Sequence, residues 1–352
     1  MDNSCRYNLI TKDLAEVLGT DELIRQLETN DKFTIYWGTS PTGKPHIGYL
    51  VPLIKLAHFL KANCRVLVLF ADLHAYLDNL KTSWELLKYR TEYYEIIIKK
   101  LLEILGVDTS HIFFVKGSDF QLTPRYSIDV YKMLSKVSLR DAQRAGTEVV
   151  KQCEDPSRQL MSSLIYPCLQ ALDEEYLNVD AQFGGIDQRK IFTMSQEVLP
   201  TLGYKKRIHL MNPMIPSFNR ISSGGKMSSS DSDSKIDLLD SDSEISRKLN
   251  KGFCQEGNVI ENPLLIFCKY VVFPILELKN ISGFIITRPL KFGGDISFRN
   301  YDELEKTFYE KLLHPSDLKK ALSQFLIDLL KPLREHCNSL EIQSLIKKAY
   351  PL

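Results

Sequence analysis

Phe33-Thr34-Ile35-Tyr36-Trp37 runs into Gly38-Thr39-Ser40-Pro41-Thr42-Gly43-Lys44-Pro45, and that loop opens on His46-Ile47-Gly48-Tyr49. The first five residues are mostly aromatic or β-branched, as a strand prefers, and glycine, serine and proline then stop it. From residue 46 to 61, apolar side chains recur at helical spacing at Ile47, Leu50, Leu53, Ile54, Ala57 and Leu60. Val66-Leu67-Val68-Leu69-Phe70 follows as a continuous apolar run, the pattern of a buried strand. Strand, helix and buried strand in that order make a parallel crossover unit.

Outward from this unit, residues 84–105 read as a long amphipathic helix stopped by Gly106, and residues 112–115 supply another strand. The first half of a doubly wound α/β sheet is then complete. Residues 121–158 turn helical and more polar, with no buried strand, which reads as an insertion between the two halves. Strand signals return near residues 178–182 and 207–210, separated by a helix over 187–202. Residues 212–234 are rich in Gly, Ser, Pro and Asn, a mobile loop by composition. Beyond it helices dominate (243–251, 263–272, 301–312, 315–330, 340–349), with strand-like runs at 284–287 and 296–298. The expected organisation is a doubly wound parallel-sheet domain over 1–237, with a helical insertion at about 121–165, and a mainly α-helical domain over 238–352.

Length and composition suit this plan. The 352 residues exceed one ordinary compact core, and 44% hydrophobic with 25% charged residues describes a soluble enzyme. Basic and acidic groups balance at 45 against 44, so net charge does not point to nucleic acid. No apolar run approaches the roughly 18 residues of a membrane span. Met1-Asp2-Asn3-Ser4-Cys5-Arg6 lacks a signal-peptide layout, so the cytoplasm is the expected compartment and no membrane partner is expected. Seven cysteines are scattered singly without Cys-x-x-Cys, so neither a zinc site nor a disulfide framework is expected.

Two elements suit phosphate chemistry. A loop leading into a helix N-terminus is a ready anion site, because unpaired N–H groups and the helix dipole favour negative charge. His46, at the first turn, can hydrogen-bond phosphate oxygens, and Gly48 leaves the backbone open to a nucleotide. Neither Gly-x-x-x-x-Gly-Lys-Ser/Thr nor Gly-x-Gly-x-x-Gly is present. By itself the pattern also describes an ordinary helix cap with a surface histidine. The second element is Gly224-Gly225-Lys226-Met227-Ser228-Ser229-Ser230, a lysine on a mobile glycine stem that can close over a charged substrate. Its plain alternative is a solvated linker.

Together, His-Ile-Gly early and Lys-Met-Ser-Ser-Ser late resemble the two signatures of class I aminoacyl-tRNA synthetases. The resemblance implies a Rossmann-like fold in which an amino-acid carboxylate attacks the α-phosphate of ATP and pyrophosphate leaves. Catalysis is then mostly positioning and charge stabilisation. His46 would face the ATP phosphates and Lys226 the leaving pyrophosphate, with Ser228 and Ser229 completing the cradle and Mg2+ arriving with ATP. The chain departs from the pattern at Tyr49, where a second histidine is frequent.

Tyr166, Gln170 and Asp173 stand at i, i+4 and i+7, so they share one face of a helix, with Pro167 expected in its first turn. A stripe of this kind is also the wet face of an ordinary amphipathic helix. The run from Tyr166 to Asp173, followed by Gln182-Phe183-Gly184-Gly185-Ile186-Asp187-Gln188-Arg189-Lys190, is similar to the tyrosine-binding signature of archaeal and eukaryotic tyrosyl-tRNA synthetases. Residues 35–39, 70–77 and 204–214 resemble the same family. By position, Tyr36 and Asp173 would bond the substrate phenol, while Tyr166, Gln170 and Gln188 would hold its α-amino end. Gly184 and Asp187 would face the adenosine, and His74 would line the pocket wall.

Residues 301–352 hold eight Lys/Arg and eight Asp/Glu, so no basic excess marks an RNA partner. The resemblance implies that Phe292 stacks on the first base of the tRNA(Tyr) anticodon and that Asp317 accepts from its edge; their plainer roles are a hairpin aromatic and a helix N-cap. It also implies a homodimer built through residues 121–171, and, with the sequence ending near Leu352, the extra C-terminal modules of some relatives are not expected. Alternatives are a tryptophanyl-tRNA synthetase, which Asp173 with Tyr36 disfavours because indole offers one N–H donor, and a non-catalytic RNA-binding descendant.

Overall fold

The computed structural model describes residues 2–30, 32–78, 81–149, 160–218 and 235–351. Six strands form the main sheet: β1 (Glu16–Leu18), β2 (Thr34–Thr39), β3 (Arg65–Phe70), β4 (Ile112–Lys116), β5 (Ala181–Gly185) and β6 (Ile208–Asn212). Their order is β1-β6-β5-β2-β3-β4; all pairings are parallel except that of β1 with β6. The first strand of each half, β2 and β5, therefore lie side by side. Helices leave them in opposite directions, which opens a crevice at their C-terminal ends, the place where doubly wound sheets bind ligands.

Alternation along β2 divides its side chains between the two faces. Ile35 and Trp37 join the large core that also holds Leu53, Ile54 and Phe59 of the helix Leu50–Lys61. Tyr36 falls on the other face with Leu67, Leu69 and Ala71, beneath the crevice. The large core is continuous across residue 237. It includes Ile97 and Leu101 of the helix Trp84–Ile104 together with Leu330, Leu345 and Ala349 of the helices Pro315–Cys337 and Leu340–Ala349. Gly106, at φ 76°, ends the long helix in the left-handed conformation that glycine adopts without strain.

Several expectations shift. Residues 46–61 are not one helix: His46 caps a 3-10 turn, Ile47–Tyr49, before the α-helix proper begins. The helix bearing Tyr166, Gln170 and Asp173 runs Met161–Tyr176, so Pro167 lies inside it rather than in its first turn. Its ring removes one backbone donor there. The segment 263–272 divides into Pro263–Phe267 and a π-helical turn, Cys268–Val272. The insertion contains the helices Pro124–Leu134 and Leu139–Gly146, without a strand among its described residues. A short hairpin pairs β7 (Phe284–Ile286) with β8 (Ile296–Phe298).

Candidate active site

The crevice holds a cavity of about 360 Å³. Tyr36, His46, Gly48, Tyr166, Gln170, Asp173, Gly184, Asp187 and Gln188 all line it, as does His74. Residues far apart in sequence thus converge on one space. Lys226, Ser228 and Ser229 lie outside the described residues.

At the deep end stands Asp173, buried to 1% exposure. Its Oδ1 accepts from Gln121 Nε2 at 2.7 Å and Tyr126 OH at 2.8 Å, while Oδ2 has no hydrogen-bond partner among the described residues. Tyr36 OH donates to the Gln170 carbonyl at 3.4 Å. Burial pushes the Asp173 carboxyl up to about 7, against the downward pull of the Gln121 and Tyr126 hydrogen bonds. Burial, then the Asp173 charge, lifts the Tyr36 phenol well above its usual range. His74 Nε2 is 3.8 Å from Asp173 Oδ2, beyond a hydrogen bond, and burial lowers the imidazole to about 4. His74 is therefore neutral at pH 7, its ring edge-on to Tyr166 at 4.7 Å. One unmet carboxylate oxygen beside a phenol is a place for a substrate hydroxyl to donate.

Midway along the cavity, Gln170 Nε2 donates to Gln188 Oε1 at 3.0 Å, which ties the helix Met161–Tyr176 to the turn after β5. Opposite, Asp78 Oδ1 is buried without a partner among the described residues, while Oδ2 pairs with Lys81 at 2.6 Å. Asp78 lines the cavity, and sequence reasoning missed it. A signal was available: a carboxylate at the C-cap of the helix Asp72–Leu77 opposes the helix dipole. Gln121 and Tyr126 were missed as well. They belong to the insertion, and nothing local in the sequence reports a contact about 50 residues away.

At the mouth, His46 Nδ1 accepts the Gly48 amide at 3.2 Å. Burial, aided by the Lys235 charge and opposed by Asp237, lowers His46 to about 4. Its neutral ring with Nδ1 as acceptor leaves Nε2 carrying the proton, a donor suited to a phosphate oxygen. Tyr49, at the position where a second histidine is frequent, turns inward. Its hydroxyl lies 3.2 Å from Thr39 Oγ1 and donates to Tyr94 OH at 3.4 Å, and its ring stands edge-on to His46. The chain returns to this loop after residue 234: the Ile47 amide donates to the Ile236 carbonyl at 3.0 Å, and His46 bridges to Asp237. A Cβ at Gly185 would come within 2.5 Å of Asp187 Oδ1, so glycine there lets Asp187 fold against the cavity wall.

Phe292 and Asp317 lie in the helical C-terminal part. Phe292 is 60% exposed on the turn Leu290–Phe292. Asp317 is half-buried in the first turn of Pro315–Cys337, whose N-cap is His314, so Asp317 does not cap the helix.

The family of tRNA synthetases class I (W and Y) matches residues 28–331. Cytoplasmic tyrosine–tRNA ligase from Gallus gallus is 53% identical over 346 residues, covering 98% of this chain and 63% of that protein. This chain thus spans under two thirds of the length of such vertebrate relatives. The cytoplasmic ligase from Saccharomyces cerevisiae is 50% identical, covering 100% of this chain and 89% of its own. The crystal structure of tyrosyl-tRNA synthetase complexed with L-tyrosine from Archaeoglobus fulgidus superposes with a TM-score of 0.85 at 36% identity, covering 95% of this chain and 99% of that one. With its sheet order, crevice and sequence in agreement, this chain belongs to the class I tRNA synthetases of the tryptophan and tyrosine group, among the tyrosine–tRNA ligases.

Proposed function

We propose that this protein joins tyrosine to ATP as tyrosyl-adenylate, releasing pyrophosphate, and then passes the tyrosyl group to the 3′ end of tRNA(Tyr). The observation that carries the reading is the unpartnered Oδ2 of Asp173 beside Tyr36, at the closed end of a cavity whose mouth is capped by His46. The substrate phenol donates to Asp173 and meets Tyr36. Its ammonium lies between Tyr166, Gln170, Gln188 and the free oxygen of Asp78, and its carboxylate points toward the mouth. There a carboxylate oxygen bonds to the α-phosphorus as the bond to the β-phosphate bridging oxygen breaks. The phosphates lie along His46 and Gly48, with adenosine against Gly184 and Asp187. Lys226, Ser228 and Ser229 take the pyrophosphate side, and Mg2+ enters on the ATP phosphates. No protein nucleophile is required; alignment and fixed donors supply the rate.

The names of the cytoplasmic relatives support action in the cytoplasm. Leu122, Ile128 and Tyr131 expose apolar surface on and beside the insertion, which supports a homodimer through that face. We place the tRNA-anticodon contacts at Phe292 and Asp317 and the division into catalytic and anticodon-binding parts near residue 237. Amino-acid-dependent ATP–pyrophosphate exchange tests the reading, with tyrosine, phenylalanine and tryptophan offered separately beside Lys226→Ala. Exchange with tyrosine alone, lost in the variant, is the expected result. Exchange with tryptophan overturns the assignment of Asp173 and Tyr36, and none from folded protein favours a non-catalytic descendant.

A further inference from the structure

Three consecutive carbonyls of the loop before His46 are held from behind. Pro41 O accepts from Thr82 Oγ1 at 3.1 Å, and Thr42 O from Arg90 Nη1 at 2.7 Å. Gly43 O accepts from two phenols, Tyr94 at 2.6 Å and Tyr350 at 3.0 Å. Arg90 is shared: its Nη1 also meets Lys81 O and Thr82 Oγ1, its Nε donates to Ala349 O at 3.0 Å, and its guanidinium lies 4.9 Å from the centre of the Tyr350 ring. Tyr350 further stands edge-on to Tyr93 and faces the Lys44 ammonium at 5.7 Å. The residues just after the last helix thus bond the backbone that leads into the phosphate end of the cavity, more than 300 residues away in sequence.

The geometry has a directional consequence. In a trans peptide the C=O of one residue and the N–H of the next point in opposite directions. Donors fixed behind the carbonyls of Thr42 and Gly43 therefore turn the amides of Gly43 and Lys44 the other way, as an anion-binding loop requires. A bare loop rich in glycine and proline would lose that alignment to conformational entropy.

We propose that Arg90 and Tyr350 are positioning residues for the ATP step: they latch the end of the C-terminal helical part to the phosphate loop and hold its backbone in the nucleotide-binding orientation. This rests on the proposed tyrosine activation, and the latch acts on ATP rather than on tyrosine. The test compares wild type with Tyr350→Phe and Arg90→Gln in tyrosine-dependent ATP–pyrophosphate exchange. Tyrosine dissociation constants, ATP dissociation constants by equilibrium dialysis and melting temperatures are measured alongside. Tyr350→Phe keeps the ring under Arg90 and deletes only the hydroxyl, so it answers even if Arg90→Gln fails to fold. The expected result is an ATP KM raised about three- to tenfold for Tyr350→Phe, the size of one lost hydrogen bond, and more for Arg90→Gln, with tyrosine affinity kept within about twofold. Unchanged ATP parameters, or losses of tyrosine and ATP affinity that move together with melting temperature, overturn the latch. Wild type silent in exchange overturns the activation reading itself, and the dialysis arm still decides whether Tyr350 governs ATP binding.

Discussion

Among the described residues, Asp173 combines full burial with two fixed donors on one oxygen and none on the other, and its titration follows from that. Burial raises its carboxyl from 3.8 to about 7, so between those values the folded protein holds a proton that the unfolded chain has released. Its contribution to stability is therefore fully present below about pH 4 and is lost as pH rises toward 7. Asp173→Asn removes this dependence: the difference in melting temperature between variant and wild type should change steadily across that window, and a constant difference would refute the assignment. In the proposed reading, specificity for tyrosine depends on the same atoms. Phenylalanine would leave the buried Asp173 Oδ2 unmet, at about 1–3 kcal/mol, and the Tyr36 hydroxyl with only its 3.4 Å bond to the Gln170 carbonyl. Tyr36→Phe should accordingly narrow the ratio of kcat/KM for tyrosine over phenylalanine by about tenfold, read by pyrophosphate exchange with each amino acid.

The helix Met161–Tyr176 shows what a sequence discloses at the scale of an element. The spacing of Tyr166, Gln170 and Asp173 is intrinsic to helical geometry, so their common face is legible in the order of residues alone. Where the helix begins is not, because Pro167 imitates a first-turn residue and tertiary packing overrides that local preference. β2 and β5 are legible as strands, but their adjacency, with Tyr36 opposite Gln182, emerges only when the two halves of the sheet meet. Least legible are the donors behind Asp173. Tyr126 lies on the insertion helix Pro124–Leu134 and reaches Asp173 Oδ1 across 47 residues of chain. Tyr126→Phe leaves that oxygen with Gln121 alone. The expected outcome is a tyrosine KM raised about fivefold, equivalent to roughly 1 kcal/mol, with the ATP KM unchanged; equal increases in both would instead mean general loosening of the cavity.

At the scale of the whole molecule, the same insertion helix has two faces. Tyr126, Asp129 and Met133 point inward, and Tyr126 bonds Asp173. Ile128 and Tyr131 point outward, at 54% and 73% exposure, close to Leu122 at 61%. An apolar stripe of this kind suits a partner, and in the proposed homodimer a second copy of the chain would present the same stripe across a two-fold axis. The helix would then be clamped between the partner outside and the tyrosine pocket inside. Association and substrate affinity become linked, since whatever holds the helix against its own core also holds Tyr126 against Asp173. Ile128→Asp with Tyr131→Glu places charge on that stripe without touching the inner face. Light scattering at micromolar concentration should show the mass falling from two chains to one. Tyrosine KM should rise in the variant and recover as protein concentration is increased, whereas ATP binding, which we assign to the loop leading into His46, should change little. A wild type that is already monomeric would remove the interface, and a monomeric variant with unaltered tyrosine KM would show that the helix keeps its inner contacts without a partner.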